Sequence, residues 1–245
     1  MSHIHRFYSA AISDHMPQIE LSDEEAHHAI RVARVRDGEK VSVFDGNGLE
    51  CTGEFERTGS HSALIRVQES TYHRPSRIQV TLAVGGLHRD KTQESVVRCA
   101  AELGAYRVCF WNADHSQRPI KPSSRWHKTA VEACKQCGRF FLPKVDTASS
   151  LGEFLEGHNG PSVIALLSEE QTGAPTFAAT DRLAVVIGPE GDFSDRERTL
   201  AATMGAIPIS LGENTYRSEV AAALLMTLVA FKLDELGPGL NLCLQ

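Results

Sequence analysis

"VVIGPEGDFSDRE", residues 185–197, runs from β-branched residues into a glycine- and proline-rich turn and then into a polar stretch. Val185–Ile187 has the composition of a buried strand end. Gly188, Pro189 and Gly191 punctuate a tight loop. Ser194, with Glu197 three residues later, predicts a capping box and a helix beginning there. A strand, a glycine-rich loop and a helix start can turn backbone N–H groups toward a ligand. The same arrangement also serves as an ordinary strand-to-helix connection, and spacing alone leaves both readings open.

The surrounding rhythm supports a layered α/β fold. "IQVTLAVGG" (78–86), "YRVCFW" (106–111), "PSVIALL" (161–167), "RLAVVIG" (182–188) and "IPISLG" (207–212) read as strands. Between and after them, "KTQESVVRCAAELG" (91–104), "SSRWHKTAVEACKQCG" (123–138) and "SEVAAALLMTLVAFKLDEL" (218–236) read as helices. Strands alternating with helices predict a mostly parallel sheet covered on both faces. Upstream the pattern differs. "SDEEAHHAIRVARV" (22–35) opens with a second predicted capping box, Ser22 to Glu25, and reads as a helix to about residue 34. "EKVSVFDG", "ECTGEFERTG" and "SALIRVQES" then read as closely spaced strands of a small barrel. Residues 1–71 are therefore expected to form one domain, 72–77 a linker, and 78–245 a second domain.

The chain carries a formal net charge of −6, unevenly spread. Residues 78–145 carry a net +6 inside an otherwise acidic chain. That asymmetry is expected of a local polyanion contact, although solvated helix faces produce it too. One basic group is Arg31, Arg34 and Arg36, with Arg31 and Arg34 expected on one helix face. The other is Arg118, Lys121, Arg125 and Arg139. Six scattered cysteines and an N-terminus without an apolar run point to reduced thiols and a cytoplasmic location. Cys134 and Cys137 have CxxC spacing, but no second pair or histidine motif follows, so a metal site is not expected.

A second strand-end loop, "LGENTYRSE" (211–219), could wall a pocket together with 188–194. Ser218 is expected to cap the last helix, with Arg217 just before it. Arg217 and Glu219 could be catalytic or could form a local ion pair at the helix start. Neither loop has the spacing of a dinucleotide or P-loop motif.

These residues resemble the RsmE-type small-subunit (16S) ribosomal RNA uridine-N3 methyltransferases of the SPOUT class. "IGPEGDFSDRE" is similar to the family signature I-G-P-E-G-G-[FL]-S-x-x-E, with Asp192 at the second glycine of the pair. "RWHKTAVEACKQCGRFFLPKV" resembles the block R-W-x-x-I-x-x-E-A-x-E-Q-x-x-R-x-x-x-P. "HHAIRVARVRDGEKVSVFDGNG" resembles the N-terminal PUA-like segment. The pattern L-G-x-R-I-L-R-x-E-T-A corresponds to "LGENTYRSEVA", which departs at Asn214, Thr215, Tyr216 and Val220. The resemblance implies a PUA-like β-barrel followed by a SPOUT trefoil-knot domain. It implies S-adenosylmethionine held by Leu166, Leu167, Ile187, Gly188, Pro189, Glu190, Gly191, Leu211, Gly212, Tyr216, Arg217 and Ala221. It further implies methyl transfer to N3 of a uridine with Arg217 and Glu219 as catalytic residues, 16S rRNA or the small subunit as partner, and no metal. A homodimer paired through the knot domain is also implied; the apolar final helix carries Ala221, Leu224, Leu225, Leu228 and Phe231 at helical spacing, which core packing alone would equally explain. Two rivals remain: an RNA-binding protein that kept this fold without its chemistry, and a CxxC oxidoreductase.

Overall fold

The structure, a computed structural model, describes residues 4–116, 118–166 and 181–233. By internal contacts the chain divides into two units, 1–75 with 131–142, and 76–130 with 143–245.

The first unit is organised by period-two burial. Its strands are β1 (His5–Tyr8), β2 (Gln18–Glu20), β3 (Lys40–Phe44), β4 (Leu49–Arg57) and β5 (Ala63–Tyr72), in the order β1-β3-β4-β5-β2. In β4, Leu49, Cys51, Gly53 and Phe55 are buried and alternate with more exposed residues. The register slips between Thr52 and Gly53. A Cβ at Gly53 would come within 2.0 Å of the Arg66 carbonyl oxygen, so only glycine fits this bulge. β1 and β2 are the outer strands and do not pair with each other among the described ladders.

The helix expected from Ser22 to about residue 34 begins as predicted but does not continue as one α-helix. The Ser22 hydroxyl accepts the Glu25 N–H at 3.3 Å. α1 covers only Asp23–His27 and passes into a π turn over His28–Ala33. Arg34 ends it in the left-handed region at φ 56°. Arg31 and Arg34 therefore do not share a regular helix face: a π turn is wider than an α turn, and Arg34 has already left it. Glu25 does not close the expected capping box either. Its carboxylate accepts two hydrogen bonds from the Lys135 ammonium, at 2.9 and 3.1 Å, and Glu132 accepts a third at 3.0 Å. Lys135 and Glu25 are both buried.

This pair explains why 131–142, assigned from the sequence to the second domain, groups with the first unit. The segment also adds a bridge between Asn47 and Phe141 and a stack of His73 on Phe140, centroids 3.8 Å apart. α3 (Ser124–Cys137) thus has its two halves in different units.

The second unit holds β6 (Gln79–Gly85), α2 (Asp90–Glu102), β7 (Arg107–Trp111), β8 (Lys144–Ala148), α4 (Leu151–Gly157), β9 (Ser162–Ala165), β10 (Arg182–Ile187), α5 (Asp195–Thr203), β11 (Ile207–Ile209) and α6 (Ser218–Lys232). The six strands form one sheet in the order β11-β9-β10-β6-β7-β8, with every pairing parallel. α4 and α5 cover the face carrying Ala83, Cys109, Trp111, Ile164, Ala184 and Val186. α2 and α6 pack together, and α6 lies on β6 and β10. The sequence reading missed β8 and α4. β8 is an edge strand of half-buried residues and so lacks the apolar run that marks its neighbours.

α6 is divided lengthwise. Ala222, Leu225, Met226 and Val229 are core, whereas Val220, Leu224, Leu228 and Phe231 form an exposed stripe, with Leu228 52% exposed. Of the five apolar residues at helical spacing, Ala221 and Leu225 are core, as core packing alone would have them, and Leu224, Leu228 and Phe231 are exposed, joined by Val220.

Substitutions at two buried groups test this packing. Lys135→Met leaves the buried Glu25 carboxylate without its partner and is expected to cost about 3–5 kcal/mol of stability. The double variant Glu25→Leu, Lys135→Met should recover most of that loss in denaturant unfolding. The second group is His158, through its response to pH. Burial holds the His158 ring below the ordinary histidine value of 6.5. The stability this neutral ring contributes is full above pH 6.5 and is lost as pH falls through the depressed value. His158→Phe should flatten the decline of the thermal midpoint as the pH falls below 6.5; an unchanged slope would assign the decline to other groups.

Candidate functional site

Four neighbouring strands, β11, β9, β10 and β6, end on the same side of the second unit's sheet. Their carboxyl ends and the described residues that follow them wall a cleft of about 590 Å³. From β6 the chain builds outward to β7 and β8, then returns to the other half of the sheet through β9 and β10. The cleft thus lies at the point where the strand order reverses, the usual ligand position in such sheets.

Tight packing positions these loops. A Cβ at Gly85 would stand 2.6 Å from the nitrogen and ring of Pro189. Glu190 accepts the His88 N–H at 3.0 Å, tying the β10 loop to the β6 loop. The predicted capping box of α5 is present and does more than cap. Glu197 accepts the Ser194 N–H at 2.8 Å through one oxygen and the Asp114 N–H at 2.9 Å through the other. Asp114 in turn receives the Ser194 hydroxyl at 2.7 Å and the Arg196 guanidinium at 2.8 Å. These bonds, with Ser194 first, hold its carboxyl below the usual value.

Most residues singled out from the sequence meet here. Leu166, Ile187, Gly188, Pro189, Glu190, Leu211, Gly212, Tyr216, Arg217, Glu219 and Ala221 all line the cleft. Leu167 lies outside the described residues. Gly191 does not line it: a Cβ there would face His115, whose ring nitrogen lies 3.0 Å from the Gly191 carbonyl oxygen. At Gly188 a Cβ would meet the Phe193 ring at 3.0 Å, so a larger residue there would displace Phe193 first. Arg217, not Ser218, is the N-cap of α6, and Ser218 is a buried first-turn residue. Arg217 and Glu219 share the cleft, and among the described residues no ion pair joins them. The sequence reading missed His88 and Arg89 of the β6 loop and Thr92 in the first turn of α2, all of which line the cleft. The Gly85-Gly86 pair at a strand end was the available signal.

Asp192 occupies a left-handed position, φ 60°, where the resembled signature has glycine. Aspartate tolerates this region because its side chain bonds locally. One oxygen accepts the Phe193 N–H at 2.7 Å and the other pairs with Arg198 at 2.6 Å.

The basic residues fall into both units. Arg31, Arg34, Arg36 and Arg139 belong to the first, and Arg118, Lys121 and Arg125 to the second. Arg118 is paired with Asp90, Arg125 lies 3.6 Å from Glu94, and Lys121 is exposed. Among the described residues no group of side chains is placed to hold a metal ion, and no helix is long and apolar enough to cross a membrane.

Asp192→Ala keeps the left-handed backbone but loses both bonds. It is expected to lower the unfolding free energy by about 1–2 kcal/mol. Asp192→Gly relieves the backbone and should cost less; the two denaturant midpoints test that order.

Comparison with known proteins agrees with this geometry. The family model described as an RNA methyltransferase domain matches residues 74–230, and one described as an RNA methyltransferase PUA domain matches 21–68. The chain is 28% identical to the ribosomal RNA small subunit methyltransferase E of Mycobacterium bovis, covering 91% of this chain and 90% of the relative. It is 27% identical to the protein of the same name from Synechocystis, covering 86% and 72%. A Legionella pneumophila structure solved with bound SAM superposes with a TM-score of 0.84 at 26% identity, covering 94% and 98% of the two chains. An all-parallel sheet with its cleft at the switch point, preceded by a PUA-like unit and matched along nearly the whole chain, identifies the protein as a member of the RsmE-type RNA methyltransferase family.

Proposed function

We propose that this protein methylates N3 of a uridine in small-subunit ribosomal RNA, using S-adenosylmethionine. The observation that carries the reading is that the cleft brings the 187–190 and 211–217 loops together with Arg217 and Glu219. The cleft also fits the cofactor. Its volume of about 590 Å³ is that of a small-molecule site. Leu166, Ile187, Leu211 and Ala221 supply apolar wall, and the strand-end loops supply backbone hydrogen-bonding groups. S-adenosylmethionine, when bound, supplies an electrophilic methyl group on a positively charged sulfur.

The protein's part is to make N3 a nucleophile. N3 of uridine carries a proton, and its loss leaves negative charge shared with O2 and O4. A guanidinium donates hydrogen bonds and accepts none, so Arg217 is no general base; it acts by donating hydrogen bonds to that charge. It stands at the N-terminus of α6, where the helix adds further positive potential. Solvent or an RNA phosphate takes the proton. Glu219, in the first turn of α6, keeps the guanidinium aligned once the base is seated. The uridine must be unpaired or flipped to enter. The RNA is gripped through Arg31, Arg34, Arg36, Arg118, Lys121, Arg125 and Arg139, in the cytoplasm where ribosomes assemble. Two copies of the chain pair through Val220, Leu224, Leu228 and Phe231, whose exposure is costly in a lone protomer.

Each part has its test. Arg217→Ala should abolish methyl transfer while RNA is still bound; full turnover would remove Arg217 from the chemistry. Transfer absent in the unaltered protein, with RNA still bound, would favour a binding protein. Replacing Arg31 and Arg34 by alanine should weaken RNA binding and flatten its salt dependence, by about 0.7–0.9 log unit per log salt for each phosphate no longer neutralised. S-adenosylmethionine affinity should not change. Leu228→Glu should convert the dimer to a monomer in light scattering.

A further inference from the structure

We propose that Tyr216 is the platform on which the target pyrimidine stacks in the cleft, a proposal that rests on the methyl-transfer reading above. Tyr216 stands where the family pattern has leucine. Its side chain is 37% exposed and makes no aromatic contact among the described residues. It lines the cleft beside Arg217, and it also faces an adjoining hollow with Leu224 and Leu228. No other Phe, Tyr or Trp lines the cleft among the described residues.

A base taken out of an RNA stack loses the faces of its neighbours. An aromatic ring restores one such face whatever the base. Tyr216 and Arg217 are consecutive at the cleft mouth and offer two different kinds of recognition. The ring can take the face of the pyrimidine, and the guanidinium can take its O2 or O4 edge. Leucine at 216 would give apolar contact without a π face, so this chain carries a stacking group that the family pattern lacks. The role lies with the base, although the resemblance alone implies a cofactor contact at this position.

The test uses the full chain with small-subunit rRNA, comparing Tyr216→Phe, Tyr216→Leu and Tyr216→Ala. RNA affinity is measured at one salt concentration with S-adenosylhomocysteine bound, KM and kcat by methyl incorporation, and S-adenosylmethionine affinity by calorimetry. Phenylalanine should match the unaltered protein. Leucine and alanine should weaken RNA binding and raise the RNA KM about tenfold, with cofactor affinity and thermal midpoint unchanged. Loss of cofactor affinity with an unchanged RNA KM would make Tyr216 a cofactor wall and overturn the proposal. Equal RNA affinity for leucine and tyrosine would overturn it as well. If the unaltered protein transfers no methyl group, the functional reading fails, but the phenylalanine-to-leucine difference in RNA affinity still decides the stacking role.

Discussion

At Gly85 there is no room for a side chain, because the Pro189 ring and nitrogen occupy the space a Cβ would need. The loop after β10 therefore lies against the backbone at the end of β6. Parallel pairing brings the two strands to that point together, with Val84 opposite Ile187. Once Pro189 is seated, Glu190 reaches the His88 N–H and fixes the mouth of the β6 loop. The wall of the cleft is thus a consequence of one close backbone approach, and every cleft residue from these two loops depends on it.

The electrostatics follow from how the carboxylates are used. Glu190, Glu197 and Asp114 all accept backbone N–H groups, hydroxyls or guanidinium groups of the protein. Their negative charge holds loops and the α5 N-terminus in place. Arg89, the N-cap of α2, and Arg217, the N-cap of α6, line the cleft without an ion pair among the described residues. Glu219 lines the cleft as well, so its wall carries groups of both signs.

The first unit has a different logic. Its sheet is held by period-two burial, and its specific feature is the buried Lys135 ammonium between Glu25 and Glu132. A buried ion pair of this kind adds little net stability over an apolar substitute, but it penalises any packing in which one partner is left alone. Lys135 stands where the family block has glutamate, and two facing glutamates at 25 and 135 would repel each other. Lysine at 135 and glutamate at 25 form a mutually consistent pair.

Local chemistry was legible along the chain. Ser194 and Glu197 announced the start of α5, the apolar runs announced β6, β7, β9 and β10, and the two strand-end loops pointed to one pocket. These signals depend on neighbours a few residues apart, which the sequence states directly. What depended on distant residues was not legible. β8 escaped because an edge strand needs no apolar run. Glu25 read as a capping residue because its true partner lies 110 positions away. Arg34 read as helical because nothing local marks the π turn. The final helix is apolar on several sides in sequence, so only the packing of α2, β6 and β10 against it decided which stripe is core and which is exposed. The sequence by itself determined the alternation of strands and helices and the residue types at the cleft. The tertiary structure decided which strands lie side by side, and hence that the β6 loop with His88 and Arg89, and Thr92 at the start of α2, join the site, because sheet order is set by long-range packing and not by the order of residues along the chain.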